Sequence, residues 1–251
     1  MKRGRFQGLW NVVRFNWDMY LKAAIVLLAV FLIPWPHGLE FWVHLGAAGA
    51  LYFLLSSLMA SHLIYDLSDL YRWTWWRERI CPPDRIVNIH SGFDETTRQL
   101  AELCPDSEVV ALDFYDPEIM TEPSIARART AYPDDHSRTV SYHSLALPDG
   151  SEKLLSCLLA AHELREHDQR VQFFQEANRV LSDDGQIVIL EHLRDLPNFL
   201  AFGPGFVHFF SRNDWLAALD EAGLWVEEEF KITPFVSGFL ARKQPTSRPR
   251  P

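Results

Sequence analysis

Cysteine is scarce in this sequence. Cys81, Cys104 and Cys157 are the only three among 251 residues, and no two of them form a C-x-x-C pair. So small and scattered a set supplies neither a zinc signature nor an even set of disulfides, and it suits a reducing compartment. An excess of positive charge is lacking too. The formal net charge of −9 speaks against general nucleic-acid binding, which calls for a basic face. No H-E-x-x-H, G-x-S-x-G or Walker loop occurs, and Asp66 to Asp69 lacks the Gly and terminal Glu spacing of a calcium loop. Zinc chemistry, triphosphate hydrolysis and serine hydrolysis therefore have no support, and no metal site is expected. Apolar residues are not lacking. At 48% apolar and 23% charged, the chain is neither disordered nor a disulfide-stapled miniprotein.

The averages hide a split. Residues 1–80 hold eight Lys and Arg against five Asp and Glu, a net +3, which leaves −12 for residues 81–251. Two apolar stretches dominate the basic part, Met19 to Trp35 and Phe41 to Ile64. The second has no Lys, Arg, Asp or Glu and exceeds the roughly 20 helical residues that a bilayer core requires. The first spans only if Trp17 to Lys22 counts, with the Lys22 ammonium reaching the headgroups. Trp10, Trp17, Trp35, Trp42 and the cluster Trp73, Trp75, Trp76 stand near the ends, where an aromatic belt lies. A transmembrane helical hairpin is thus expected within residues 1–80, a signal peptide and a buried soluble hairpin being the alternatives. Lys2, Arg3, Arg5 and Arg14 precede the first stretch, Arg72, Arg77 and Arg79 follow the second, and residues 34–40 between them hold no Lys or Arg. That asymmetry predicts a two-pass protein of the inner (cytoplasmic) membrane with both ends and the body in the cytoplasm.

Cys81-Pro82-Pro83-Asp84 reads as a linker into the body, residues 81–243. Apolar, β-branched runs at 85–89, 108–112, 139–143, 154–159, 186–190, 225–232 and 236–242 alternate with helical patterns at 94–104, 121–132, 169–181 and 213–222. Alternation of this kind predicts a parallel α/β sheet with helices on both faces. Residues 244–251 read as a loose tail. Ligands in such sheets sit outside the carboxyl ends of the strands, which directs attention to His90-Ser91-Gly92-Phe93-Asp94 and to Asp113. A carboxylate ending the second strand accepts hydrogen bonds from both hydroxyls of a ribose.

Leu145 to Gly150, the run Leu154 to Ala161 with His162-Glu163-Leu164, and Glu176-Ala177-Asn178-Arg179-Val180-Leu181-Ser182-Asp183-Asp184-Gly185 before Gln186 to Leu190 together resemble class I S-adenosylmethionine-dependent methyltransferases. The likeness extends over about residues 84–243 and implies a Rossmann-like methyltransferase sheet with S-adenosyl-L-methionine as cofactor. It assigns Asn88, His90, Ser91, Gly92, Asp113 and Ser144 to the cofactor. The sequence departs from the family's acid-x-Gly-x-Gly-x-Gly loop: Asn88 stands for the acid, and only Gly92 survives of the glycines, with His90 and Asp94 at the others.

For catalysis, His162 matches a position facing the transferred methyl group, and its ordinary pKa near ~6.5 suits a general base; a polar helix-start residue is the plainer alternative. Glu163 reads as a helix-start acid. Glu191-His192 points toward the ligand edge or forms a surface pair. His208 belongs to a Phe-rich insertion, Phe199 to Phe210, that covers an acceptor or rests on the membrane. The expectation is a membrane-anchored methyltransferase acting on a hydrophobic small-molecule or lipid-like acceptor, with His162 or His208 as base. The rival is a non-catalytic methyltransferase-like binding or scaffold module at the membrane.

Overall fold

The runs at 86–90, 154–157, 186–192 and 236–241 become strands because they are buried on both faces of one sheet. In the computed structural model, which describes residues 4–245, the strands are β1 (Arg85–His90), β2 (Glu108–Asp113), β3 (Arg138–Thr139), β4 (Glu152–Leu158), β5 (Leu181–His192), β6 (Leu224–Thr233) and β7 (Val236–Lys243). Their spatial order is β3-β2-β1-β4-β5-β7-β6. All neighbours are parallel except β7, which runs antiparallel to both β5 and β6. The expected all-parallel sheet is thus corrected to a mixed one. Pro234 and Phe235 alone join β6 to β7, and so short a connection can only link antiparallel neighbours.

Two other expectations shift. Of the run at 139–143 only Thr139 belongs to β3, because the chain folds back where the Ser144 amide donates to the Ser141 carbonyl at 3.0 Å. Asp183-Asp184-Gly185, expected as a turn before the strand, lies within β5. Pairing there jumps from Glu152–Leu181 to Leu154–Gln186, so the polar triplet forms a bulge. A Cβ at Gly185 would stand 2.7 Å from the Glu152 carbonyl.

One face of the sheet is covered by α7 (His167–Val180) and α9 (Arg212–Glu221), with Phe173, Phe174 and Trp215 fully buried. The other is covered by α5 (Thr97–Leu103) and by α4 (Thr74–Arg79), with Trp73, Trp75 and Trp76 packed near Ile86, Val188 and Phe230. These three tryptophans do not form an aromatic belt; they are core. A buried Trp hides about 150–250 Å², worth roughly 4–6 kcal/mol at ~25 cal/mol per Å², and an interfacial site recovers only part of that.

Ahead of the sheet come α1 (Gln7–Phe15), α2 (Trp17–Leu32) and α3 (Glu40–His62), the last continued by one wide turn to Leu67. Asp66 caps α1 by accepting from the Gly8 and Leu9 amides at 2.7 and 3.0 Å, a carboxylate at a helix N-terminus. α1 lies on α6 (Pro123–Ala131), where Arg127 donates to the Phe15 carbonyl at 2.6 Å and Tyr132 donates to Asn11 Oδ1 at 3.0 Å. α2 buries none of its residues, and Phe41, Trp42, Leu45, Leu55 and Met59 of α3 are exposed. Glu40–Leu67 is one helix long and apolar enough to cross a membrane; α1 and α2 meet that test only as a pair bent by 73°. Near its C-terminal end α3 docks on α8 (Leu196–Phe202), with Ser56 Oγ donating to the Ala201 carbonyl at 2.8 Å. Of the expected tail, Gln244 still donates its amide to the Gly223 carbonyl at 2.9 Å, and residues 246–251 lie outside the described residues, as do Lys2 and Arg3.

Candidate active site

The carboxyl ends of β1, β4 and β5 open under α1 into a cavity of about 380 Å³. Its walls come from Asn11 and Phe15 of α1, His90, Ser91 and Phe93 of the first loop, Leu158 to Ala160 after β4, and Phe202 and Phe209 of the insertion; His162, Glu163, His208 and Glu122 close one end. Pockets of 300–1,000 Å³ are the usual size for small ligands.

At the first loop, Asn88 is fully buried. Its amide donates to Thr96 Oγ1 at 2.9 Å and Thr97 Oγ1 at 2.8 Å. Asp94 accepts from the Thr96 and Thr97 amides, both at 2.9 Å. Asn88 and Asp94 therefore shape the approach to α5, and neither lines the cavity. Gly92 adopts φ +85°, a conformation that L side chains rarely take. Asp113 accepts from the Gly92 amide at 2.7 Å and the Tyr115 amide at 3.0 Å through Oδ1, and from Arg129 at 2.6 Å through Oδ2. His90 and Ser91 are buried in the cavity wall, with His90 Nε2 2.8 Å from Ser137 Oγ. Ser144 is exposed and outside the cavity. Of the six residues expected to hold the cofactor, His90 and Ser91 line the cavity, Gly92 and Asp113 are bonded to each other just behind that wall, Asn88 buttresses the loop and Ser144 stands apart.

At the other end, His162 and His208 face one another with ring centroids 5.6 Å apart. His162 Nδ1 is 2.8 Å from Glu191 Oε2, and its Nε2 is 3.4 Å from Glu163 Oε1. Burial alone would lower the pKa of His162, but Glu191 and Glu163 outweigh it and raise it well above the ordinary value. His162 is then an imidazolium at neutral pH and cannot accept a proton. His208 moves the other way: burial and the His162 charge push it down to about 4, so it is neutral. Its Nδ1 is 3.2 Å from Glu122, whose own pKa is raised by burial and by Glu163. Glu191 is fully buried beneath His162 rather than on the surface, and Glu163 faces His162 rather than serving a helix dipole. Glu122, Arg129 and the α1 wall carry no motif. Only the position of Glu191 at the end of β5 was a sequence signal toward this cluster.

Residues 87–189 match the model of a family described as a methyltransferase domain. No curated protein matches the sequence. Among solved structures, the chain is similar to a SAM-dependent methyltransferase from Aquifex aeolicus, with TM-score 0.50 and 16% identity over 72% of this chain and 92% of that one. A SAM-dependent methyltransferase from Methanosarcina mazei gives TM-score 0.50 and 14% identity over 68% and 97%. The PH0226 protein from Pyrococcus horikoshii OT3 gives TM-score 0.50 and 14% identity over 72% and 95%. At these identities the structures establish the fold.

Two of these similar structures are S-adenosylmethionine-dependent methyltransferases, and the residues present here fit that cofactor. The acid at the end of β2 is held by two backbone amides, the loop turns at a left-handed glycine, and His90 Nδ1 is buried with no hydrogen-bond partner. Arg129, 40% exposed, holds the second oxygen of Asp113 and also lies 3.4 Å from the Gly92 carbonyl and over the Tyr115 ring at 4.4 Å.

Proposed function

We propose that this S-adenosylmethionine-dependent methyltransferase, whose residues 87–189 form its methyltransferase domain, is anchored in a membrane by α2 and α3 and methylates a hydrophobic, lipid-like acceptor. One observation carries the reading: the apolar helix α3 is docked on the segment that walls the cavity. Phe53 of α3 packs on Phe199 with centroids 5.8 Å apart, and Tyr52 donates to the Leu200 carbonyl at 3.3 Å. From there Leu196, Leu200 and Val207 stay exposed, and Phe202 and Phe209 turn inward to the cavity. An apolar surface of this extent is a binding surface for lipid or partner, and here it leads from the flank of α3 to the site.

The bound cofactor supplies a methyl group on a sulfonium centre. Asp113 accepts hydrogen bonds from ribose hydroxyls, and His90 and Ser91 lie beside it in the cavity wall. His208, neutral at the acceptor end, is the group that can take a proton from the acceptor, and the charged His162 stands beside it. Alignment and exclusion of water do much of the remaining work, and α1 roofs the cavity for that purpose. Both α1 and the C-terminal end of α3 contact the body, so a hairpin between them returns to the side it left. With Arg5 and Arg14 before it and Arg72, Arg77 and Arg79 after it, that side is the cytoplasm.

Deleting residues 1–64 would remove Asn11 and Phe15 from the cavity wall and Ile64 from the core, so the test uses the intact chain. In lipid nanodiscs with methyl-labelled cofactor, phenolic or carboxylic acceptors of rising chain length are expected to react faster as they partition into the bilayer. Equal turnover of short, water-soluble acceptors, or release of the protein from membranes by alkaline carbonate, would refute the proposal.

A further inference from the structure

Three segments remote in sequence meet at the acceptor end: the turn after β4, the turn after α8 and the chain leading into α6. His162, Glu163 and His208 each offer one ligand atom, and these atoms lie within 4.8 Å of one another. We propose that the three residues bind a divalent first-row transition metal ion, such as zinc, manganese or iron.

The donor set is two imidazoles and one carboxylate, which suits such ions better than magnesium or calcium, whose ligands are all oxygens. An independent feature is the partner of each imidazole. His162 Nδ1 is hydrogen-bonded to the fully buried Glu191 at 2.8 Å, while His208 Nδ1 only lies 3.2 Å from a Glu122 carboxylate oxygen, so the feature is complete at His162 alone. Metal-bound histidines characteristically donate their second ring nitrogen to a carboxylate in this way, which fixes the tautomer and orients the ring. Both Nε2 atoms are left for the ion, and Glu163 Oε1 already stands 3.4 Å from that of His162. Metal–ligand bonds of about 2.0–2.2 Å put tetrahedral donors roughly 3.4 Å apart, so the donors close by about an ångström on binding. His208, 29% exposed on the short turn Gly203–His208, has room for that movement.

The charge balance agrees. Glu122, Glu163 and Glu191 face the spot, against Arg165. Arg165 is committed elsewhere: its guanidinium donates to the His162 carbonyl at 3.1 Å and the His208 carbonyl at 2.7 Å. It ties the two histidine segments together. Three protein ligands leave coordination positions toward the cavity, where an oxygen of the acceptor can bind and be acidified. This last consequence rests on the proposed methyl transfer; the binding of the ion does not.

The test is a Co²⁺ titration of the intact protein in detergent, read by visible absorption of the bound ion, with metal content measured on the protein as purified. Wild type is expected to saturate at one ion per chain below about 100 µM. Glu163→Gln and His208→Asn should each weaken binding at least about tenfold, and Glu191→Gln about 10–100-fold through the orientation of His162. His136→Ala, at an exposed surface position, should leave it unchanged. Circular dichroism identifies any variant that fails to fold, and Glu163→Gln, nearly isosteric, then carries the comparison. No binding by wild type, or unaltered binding by folded Glu163→Gln and His208→Asn, overturns the proposal. Neither cofactor nor acceptor enters this measurement, so its failure leaves the methyl-transfer reading standing, and inactivity toward every acceptor leaves the metal site standing.

Discussion

On the proposed assignment of Asp113 to the cofactor ribose, Arg129 and the ribose compete for the same carboxylate oxygen, which makes cofactor affinity adjustable from a residue that need not touch the cofactor. Asp113 Oδ1 is taken by the Gly92 and Tyr115 amides, and only Oδ2, on Arg129 at 2.6 Å, faces outward. The ion pair is partly exposed on the Arg129 side, so screening limits it to about 0.2–1 kcal/mol. Removing the competitor by Arg129→Ala should therefore tighten S-adenosylmethionine binding by up to roughly fivefold, a factor worth about 1 kcal/mol. Asp113→Asn keeps an acceptor for the two amides but loses the charge. It should weaken binding about ten- to a hundredfold, the 1.5–3 kcal/mol of hydrogen bonds to a charged group. Asp113→Ala is a poorer probe, since it strands two amides at about 1–3 kcal/mol each and costs stability as well as affinity. Calorimetric titration of the three proteins with S-adenosylmethionine and S-adenosylhomocysteine decides. If Arg129→Ala weakens binding, Arg129 is a cofactor ligand rather than a competitor, and the reasoning fails.

Further expectations follow from named contacts. His192 is buried and neutral, its Nδ1 donating to the Phe235 carbonyl at 2.9 Å and its Nε2 accepting from Tyr65 at 3.0 Å; burial pushes its pKa down to about 4. The unfolded chain binds this proton first, so stability falls as pH drops from about 6.5 to 4. At 1.36 kcal/mol per unit the loss is about 3 kcal/mol, and His192→Phe should flatten the dependence in denaturant melts at pH 7.5, 5.5 and 4.5. An unchanged slope would exclude His192 as its source. Gly203 holds φ +56°, ψ −138°, and a Cβ there would stand 2.6 Å from the Phe53 ring. Gly203→Ala should therefore destabilise by about 1–3 kcal/mol or more, and an unaltered melting temperature would argue against this docking of α3. In vesicles with brominated lipid, quenching should disappear when Trp10, Trp17, Trp35 and Trp42 are replaced by Phe, while the buried Trp73, Trp75 and Trp76 stay unquenched. Quenching that persists would place the second cluster in lipid after all.

Much of the fold was legible because its signals are local. Burial on both faces makes a run such as Ile86-Val87 or Ile187-Val188-Ile189 apolar at every position, and the Ser211 cap, with the Asp214 amide donating to Ser211 Oγ at 3.2 Å, marks the start of α9. The sense of β7 was not legible from its residues, which suit either direction; only the two-residue connection Pro234-Phe235 decides it. The Trp73-Thr74-Trp75-Trp76 run misled for a related reason. Tryptophan beside arginine is equally the composition of a membrane interface and of a short helix closing a sheet. What chose the core was an open apolar face at Ile86, Leu154 and Val188, which lies far away in sequence.

The site divides along the same line. Asp113 and Gly92 were singled out because topology puts strand ends at the ligand edge, and His162 because it matches a position of the resembled family. Ser144 was assigned by counting forward along a family pattern. The chain shortens its third strand and turns at Ser141–Ser144, so the residue comes to rest in the open. Glu122, Arg129 and Glu191 acquire their roles only in three dimensions. A carboxylate at the end of a strand is unremarkable as sequence. Buried without solvent and 2.8 Å from an imidazole, Glu191 must either keep that imidazole protonated or orient it for a ligand. A free imidazolium between two carboxylates and a metal-bound imidazole backed by one are therefore two occupants of the same geometry. The exchange of a proton for a metal ion at His162 is what the cobalt titration reads.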